Sequence, residues 1–193
     1  MTVNVWYQLT RYADNWVTTC TSEAEAYAAI ADAQRILAQL GVQLHPQKTR
    51  IVHINRGFEF LGYKIKRGRP RAALRRKLGR NAPAGTVYAY ASEKSIHRFK
   101  DRVRQLTKRR IPLSTEQIIA EMNPIVRGWG QYYKRSRVRK LFTQLDAWIV
   151  RRLWSHRSKR WRCEGWKQLP QSTLYGELGL VRLLQLDLLA RSP

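Results

Sequence analysis

The residues closest to metal or acid–base chemistry stand near the start of the chain, in Arg11-Tyr12-Ala13-Asp14-Asn15-Trp16-Val17. Val5-Trp6-Tyr7 leads in and Trp16-Val17 leads out, which predicts two short strands joined by a tight turn. Asp14 and Asn15 are expected at its tip, because Asx residues tolerate left-handed backbone angles and can bond their own backbone. A carboxylate held there can serve as a metal ligand; a plain surface turn has the same composition. The second chemical feature is cationic. Lys64, Lys66, Arg67, Arg69, Arg71, Arg75, Arg76, Lys77 and Arg80 make nine basic residues without one acid between them. As a solvated linker that density of charge is costly, and phosphate contact relieves it. Arg127, Lys134, Arg135, Arg137, Arg157 and Arg160 extend the set. Trp129, Tyr132 and Tyr133 lie among them, where their rings either stack on bases or pack between helices.

The whole chain supports an anionic partner. It has 193 residues, 37 Lys+Arg against 13 Asp+Glu and a net charge of +24. Seven Trp and nine Tyr add stacking surface, which favours nucleic acid over an anionic membrane surface. A hydrophobic content of 44% excludes wholesale disorder. No apolar run reaches the roughly 18 residues of a membrane span. No signal-peptide pattern is present, so a cytoplasmic, reducing location is expected. Cys20 and Cys163 are too far apart to suggest a zinc site, and the four histidines show no ligand spacing. In residues 1–45, Arg11 and Arg35 are outnumbered by Asp14, Glu23, Glu25 and Asp32. The positive excess therefore belongs to the later part, with a boundary expected near Ile65.

An α+β order positions these groups. Ser22-Glu23-Ala24-Glu25 has capping-box form and opens a helix over 22–40, with Gly41 as its stop. Thr49 to Ile54 is β-branched and predicts a strand; Asn55-Arg56-Gly57 predicts a turn; Phe58 to Ile65 predicts a further strand, with Gly62 allowing a bend. After a short strand near Val87, Ser92 caps a helix to about Arg109, and Ser114-Thr115-Glu116-Gln117 opens another. Pro124 is expected to kink or break that second helix. Gly128-Trp129-Gly130 admits close backbone approach. Val138 to His156 is the cleanest helix, and a leucine-rich tail follows.

Three motifs in order carry a resemblance. Tyr12-Ala13-Asp14-Asn15 resembles the YxDD hairpin of reverse transcriptases. Leu44-x-Pro46-x-Lys48-Thr49 is similar to the following motif, whose lysine lies near the incoming nucleotide. Phe60-Leu61-Gly62-Tyr63 is similar to the FLG hairpin that grips the primer end. Farther on, Asn123-Pro124-Ile125-Val126-Arg127-Gly128-Trp129-Gly130-Gln131-Tyr132-Tyr133 resembles the thumb and maturase-specific region, domain X, of group II intron-encoded proteins. Phe99-Lys100-Asp101-Arg102-Val103 and Leu145-Asp146-Ala147-Trp148-Ile149 support it.

The resemblance implies a partial reverse-transcriptase palm over 1–65, made of two hairpins and a helix. A basic connector over 66–91, a helical thumb and domain X over 92–170, and a tail over 171–193 complete it. It implies residual catalytic positions at Asp14, Asn15 and Lys48, with Mg²⁺ on Asp14. The sequence departs from the family at Asn15, where a second aspartate is usual, and lacks the cysteine–histidine cluster of the family's endonuclease. The family's first metal-binding aspartate belongs to a palm segment before the YxDD hairpin. RNA binding needs no cofactor, and group II intron RNA is the expected partner, with the chain assisting intron folding and splicing. RNA-directed DNA polymerase activity is expected only if a second polypeptide supplies fingers and palm. A decayed, non-functional fragment is the remaining alternative.

Overall fold

The computed structural model describes residues 8–68, 85–158, 167 and 169–189. The chain divides into two compact units, Met1–Val87 and Tyr88–Pro193. The architecture is α+β, with small antiparallel hairpins in the first unit and packed helices in the second. Among the described residues no helix is long and apolar enough to cross a membrane.

In the first unit, β1 (Gln8–Tyr12) pairs antiparallel with β2 (Asn15–Thr19), from Gln8 opposite Thr19 to Tyr12 opposite Asn15. That register puts Ala13 and Asp14 in the turn, and Asn15 begins the return strand. Ala13, not an Asx residue, takes the left-handed angle, with φ of 52°. The expected tip is thus shifted by one residue, because strand register and not side-chain preference fixes it.

Helix α1 (Glu23–Gln39) starts where the capping signal places it. Ser22 Oγ accepts the Glu25 N–H at 3.2 Å. The Glu25 carboxylate reaches back one residue farther, to the Thr21 N–H at 2.8 Å and the Thr21 hydroxyl. These bonds hold its pKa below the usual carboxylate range. At the other end, Gly41 (φ 67°) donates to Ala38 O and Val42 N–H donates to Leu37 O. This pair of bonds is the Schellman arrangement, which needs a left-handed residue at C′.

Thr49 to Ile54 does not form a strand. β-Branched composition fits a pleated surface but cannot supply a neighbour, and among the described residues no strand pairs with this stretch. The predicted single strand from Phe58 to Ile65 is instead a hairpin. Strands β3 (Phe58–Phe60) and β4 (Tyr63–Arg67) pair with Phe60 opposite Tyr63. Leu61 and Gly62, with φ of 47° and 78°, form the two-residue turn. Both central residues having positive φ is the type I′ signature that matches strand twist. Gly57, also left-handed, is required by space: a Cβ would lie 2.9 Å from Ile65 O.

β5 (Val87–Ala91) begins at the division between the units. The second unit continues with α2 (Glu93–Leu106), α3 (Thr115–Tyr133), α4 (Arg139–Ser158), a π-helical turn (Thr173–Glu177) and α5 (Leu183–Leu189). Ser92 Oγ accepts Ser95 N–H to start α2. Ser114 and Gln117 close a full capping box on α3, at 2.9 and 3.2 Å. The core is the interleaved apolar stripe of the three long helices. Phe99 and Val103, Ile118, Ile119, Met122 and Val126, and Phe142, Leu145, Ile149 and Leu153 are all buried.

Helix α3 runs through Pro124. A proline in mid-helix removes one backbone bond and crowds the preceding turn. Here both flanks are held by tertiary contacts. Met122 and Val126 are in the core. Asn123 Nδ2 donates to Gly179 O at 3.0 Å, and Asn123 Oδ1 accepts Val181 N–H at 2.8 Å. The same asparagine secures the C-terminal segment. Leu174, Leu180 and Leu183 are buried there. The Asp146 carboxylate accepts the N–H groups of Leu183 and Leu184 at 2.9 and 3.0 Å. Residues 171–186 are therefore packed into the second unit.

Candidate nucleic-acid interface

The hairpin tip offers little for chemistry. Asn15 Nδ2 donates to Asp14 Oδ1 at 3.0 Å, and Arg11 Nε donates to Ala13 O at 2.8 Å. The tip thus engages its own neighbours. Phosphoryl transfer with paired Mg²⁺ needs clustered carboxylates. Among the described residues no three His, Cys, Asp or Glu side chains converge on one point. The residues present do not fit a Mg²⁺ pair. Lys48 is exposed in the turn after Pro46, its N–H donating to His45 O at 3.1 Å. Phe60, Leu61, Gly62 and Tyr63 are the hairpin tip already described, all half-buried.

The predicted cations fall in several places. Lys64 and Lys66 project from one side of β4 and Arg67 from the other, by strand alternation. Arg69, Arg71, Arg75, Arg76, Lys77 and Arg160 lie outside the described residues. Arg127 is exposed on α3, lining a shallow groove with Arg182 and Gln185. Lys134, Arg135 and Arg137 gather at the α3–α4 turn. There Arg137 N–H donates to Ala89 O at 3.0 Å, and its guanidinium lies 4.6 Å from the Tyr88 ring centre. Arg157 is at the far end of α4. That helix has 20 residues, so the two ends are about 30 Å apart. Within the second unit the described cations thus lie at separate places along α3 and α4.

The aromatic residues separate by burial. Tyr133 is 3% exposed and Tyr132 51%. Trp129 is half-buried, stacked on Phe99 at 4.7 Å between ring centres. Both Trp129 Nε1 and the Tyr133 hydroxyl donate to Ser95 Oγ, at 3.1 and 2.8 Å. Trp129 and Tyr133 thus serve the α2–α3 contact, and only Tyr132 presents a ring to solvent among the three. Of the two glycines flanking Trp129, a Cβ at Gly130 would press on Leu183 and Leu186, whereas Gly128 faces open space.

One cationic group has no counterpart among the predicted site residues. Lys100 Nζ and the Arg104 guanidinium, one turn apart on α2, each lie 5.7 Å from the Trp148 ring centre. Arg152, one turn beyond Trp148 on α4, donates from Nε to Thr107 Oγ1 at 3.0 Å and from Nη2 to Thr107 O at 3.1 Å. Thr107 caps the C-terminus of α2, where a cation is favoured by the helix dipole. Burial first, then Arg104 and Arg109, hold the Arg152 pKa below its usual value. The sequence signal was the matched i, i+4 spacing, 100/104 and 148/152, on two helices.

Residues 96–173 match the family model of the group II intron maturase-specific domain. The match supports a group II intron maturase C-terminal region. No curated protein gives a match to the chain. The maturase-specific match begins within α2, spans α3 and α4 and ends at Thr173, the first residue of the π-helical turn. Both cationic gatherings of the second unit, the α3–α4 turn and the Trp148 cluster, fall inside it. Leu174, Leu180 and Leu183 complete its core from beyond the matched range.

Proposed function

We infer that the chain binds group II intron RNA and assists its folding and splicing. The maturase-specific match on a helical unit carries this reading, and the charge of +24 with its cations spread over exposed surface supports it. Duplex RNA is recognised mainly through phosphates, 2′-hydroxyls and shape, since its deep major groove excludes side chains. A rigid helical body with guanidinium and ammonium groups at several points suits that task. Tyr132 adds one exposed ring for an unstacked base. In this reading residues 1–65 are part of a reverse-transcriptase palm followed by a thumb. The hairpin turns at Ala13-Asp14 and Leu61-Gly62 favour that view. DNA synthesis would require further carboxylates around Asp14, which the described residues do not bring there.

The test is binding of the intact chain to a structured intron RNA across a salt series. Log affinity is expected to fall steeply and linearly with log salt, by about 0.7–0.9 per phosphate contact. Affinity that is flat with salt refutes the reading.

A further inference from the structure

Three cations, Lys100, Arg104 and Arg152, gather where α2 ends against the middle of α4, and Arg109 follows in the exposed turn after α2. One recorded ion pair tempers them, Arg104 to Asp101 at 2.6 Å, on the exposed surface of α2. Arg152 cannot swing away, because two bonds to Thr107 and partial burial fix its guanidinium. Lys100 and Arg104 are likewise ordered, both drawn to the face of Trp148. Cation–π attraction of this kind contributes modestly at exposed sites and does not offset mutual repulsion between cations. Fixed like charges, with Asp101 the acid paired to them among the described residues, are the arrangement that a bound anion relieves.

The geometry also says which part of a nucleic acid fits. Trp148 is half-buried, and Lys100 and Arg104 both lie over its ring, so the ring is engaged within the protein. The groups that point outward are donors only. Guanidinium forks match phosphate oxygens in a bidentate manner, and they read no sequence when they do so. Lys100 and Arg104 are one helical turn, about 5.4 Å, apart along α2. That spacing is close to the distance between successive phosphates along a strand.

We propose that Lys100, Arg104 and Arg109, ordered by Trp148 and Arg152, form a backbone clamp for duplex RNA, separate from the α3–α4 turn. The proposal rests on the RNA-binding reading above and assigns a face to it. Arg152 and Trp148 position the clamp; Lys100, Arg104 and Arg109 touch phosphate.

The experiment compares two double variants of the full chain by anisotropy with a labelled RNA hairpin of long stem and with an unstructured single strand. R104Q/R109Q removes two exposed clamp cations. R98Q/R102Q removes two exposed cations from other faces of the same helix. Matching far-UV spectra and melting establish that both fold. The expected result is a loss of about tenfold for R104Q/R109Q on the hairpin, with the salt slope reduced by about two, and less than about twofold for R98Q/R102Q. Equal losses in the two variants overturn the clamp while leaving RNA binding intact. An equal loss on the single strand overturns the duplex assignment. Failure of the unmodified chain to bind RNA in a salt-dependent way overturns both the clamp and the function it rests on.

Discussion

Gly128 and Gly130 stand two residues apart in α3, and the packing predicts opposite outcomes for the same substitution. Alanine gains about 0.5–1 kcal/mol over glycine inside a helix, through lower backbone entropy in the unfolded chain. At Gly128 nothing lies within 4 Å of the new Cβ, so that gain is realised in full. At Gly130 the Cβ would sit 2.6 Å from Leu186 Cδ1 and 2.8 Å from Leu183 Cδ2. Real Cβ atoms do not approach so closely, and Leu183 is fully buried. Its side chain has little room to turn. Overpacking of this sort costs about 1–3 kcal/mol. Gly130→Ala is thus expected to lose about 1 kcal/mol net, some 2 kcal/mol below Gly128→Ala. Urea unfolding followed by far-UV circular dichroism measures the difference as a shift in midpoint at constant slope. A double-mutant cycle with Leu186→Ala sharpens it, because the truncated side chain should relieve much of the Gly130→Ala loss. If Gly130→Ala is as stable as Gly128→Ala, or if Leu186→Ala brings no relief, α5 does not pack on α3 as described.

Three further predictions concern the C-terminal segment. Asp146→Ala leaves the N–H groups of Leu183 and Leu184 without their acceptor and is expected to cost about 2–4 kcal/mol, read from thermal unfolding. Burial holds the Asp146 carboxyl above its usual range against those two bonds. The folded state therefore keeps this proton more tightly than the unfolded state. Its contribution to stability is full below the unfolded pKa and declines as pH rises through the folded value. The gap between the native chain and Asp146→Asn should accordingly be widest near pH 4 and narrowest near pH 7; a gap that grows with pH contradicts this. Tyr175 is pushed up to about 12 by burial and then by the Asp146 charge, with Arg182 opposing from 5.2 Å over its ring. Stability linked to it is complete below about pH 10 and is lost towards pH 12. Tyr175→Phe should leave tyrosinate absorbance unchanged at pH 10 in the folded protein, and a decrease there would refute the shift.

The parts of this fold that were legible in the sequence are those decided within a few residues. Ser22, Ser92 and Ser114 start helices because a hydroxyl and an N–H three positions on find each other locally. Gly41 ends one for an equally local reason. The misreadings were all decided at a distance. Thr49–Ile54 has strand composition, but a strand exists only with a neighbour. Asn55-Arg56-Gly57 does form a turn, but it is not the hairpin turn its composition suggests, because pairing of Phe60 with Tyr63 sets the hairpin at Leu61-Gly62. Pro124 obeys its local rule in lacking an N–H, and Asn123, bonded to residues more than 50 positions away, keeps the helix continuous. The site followed the same division. A basic surface was evident from charge alone, whereas Tyr133 could be told from Tyr132 only by burial.

The Trp148 cluster is a cationic feature that composition alone does not reveal. Counting uncompensated charge favours the run from Lys64 to Lys77, where cations are adjacent in sequence. Arg104 and Arg152 are far apart in sequence and are brought together by the fold, whose buried core includes Phe99 and Val103 on α2 and Ile149 and Leu153 on α4. The burial of those apolar side chains supplies the free energy that holds like charges near one another. Charge held in place in this way is preorganised: its repulsion is already present before RNA arrives, and binding relieves it. A residue count sees the first kind of basic surface and not the second. The second is the kind that can discriminate a duplex from a flexible strand, because only a fixed spacing of cations distinguishes a fixed spacing of phosphates.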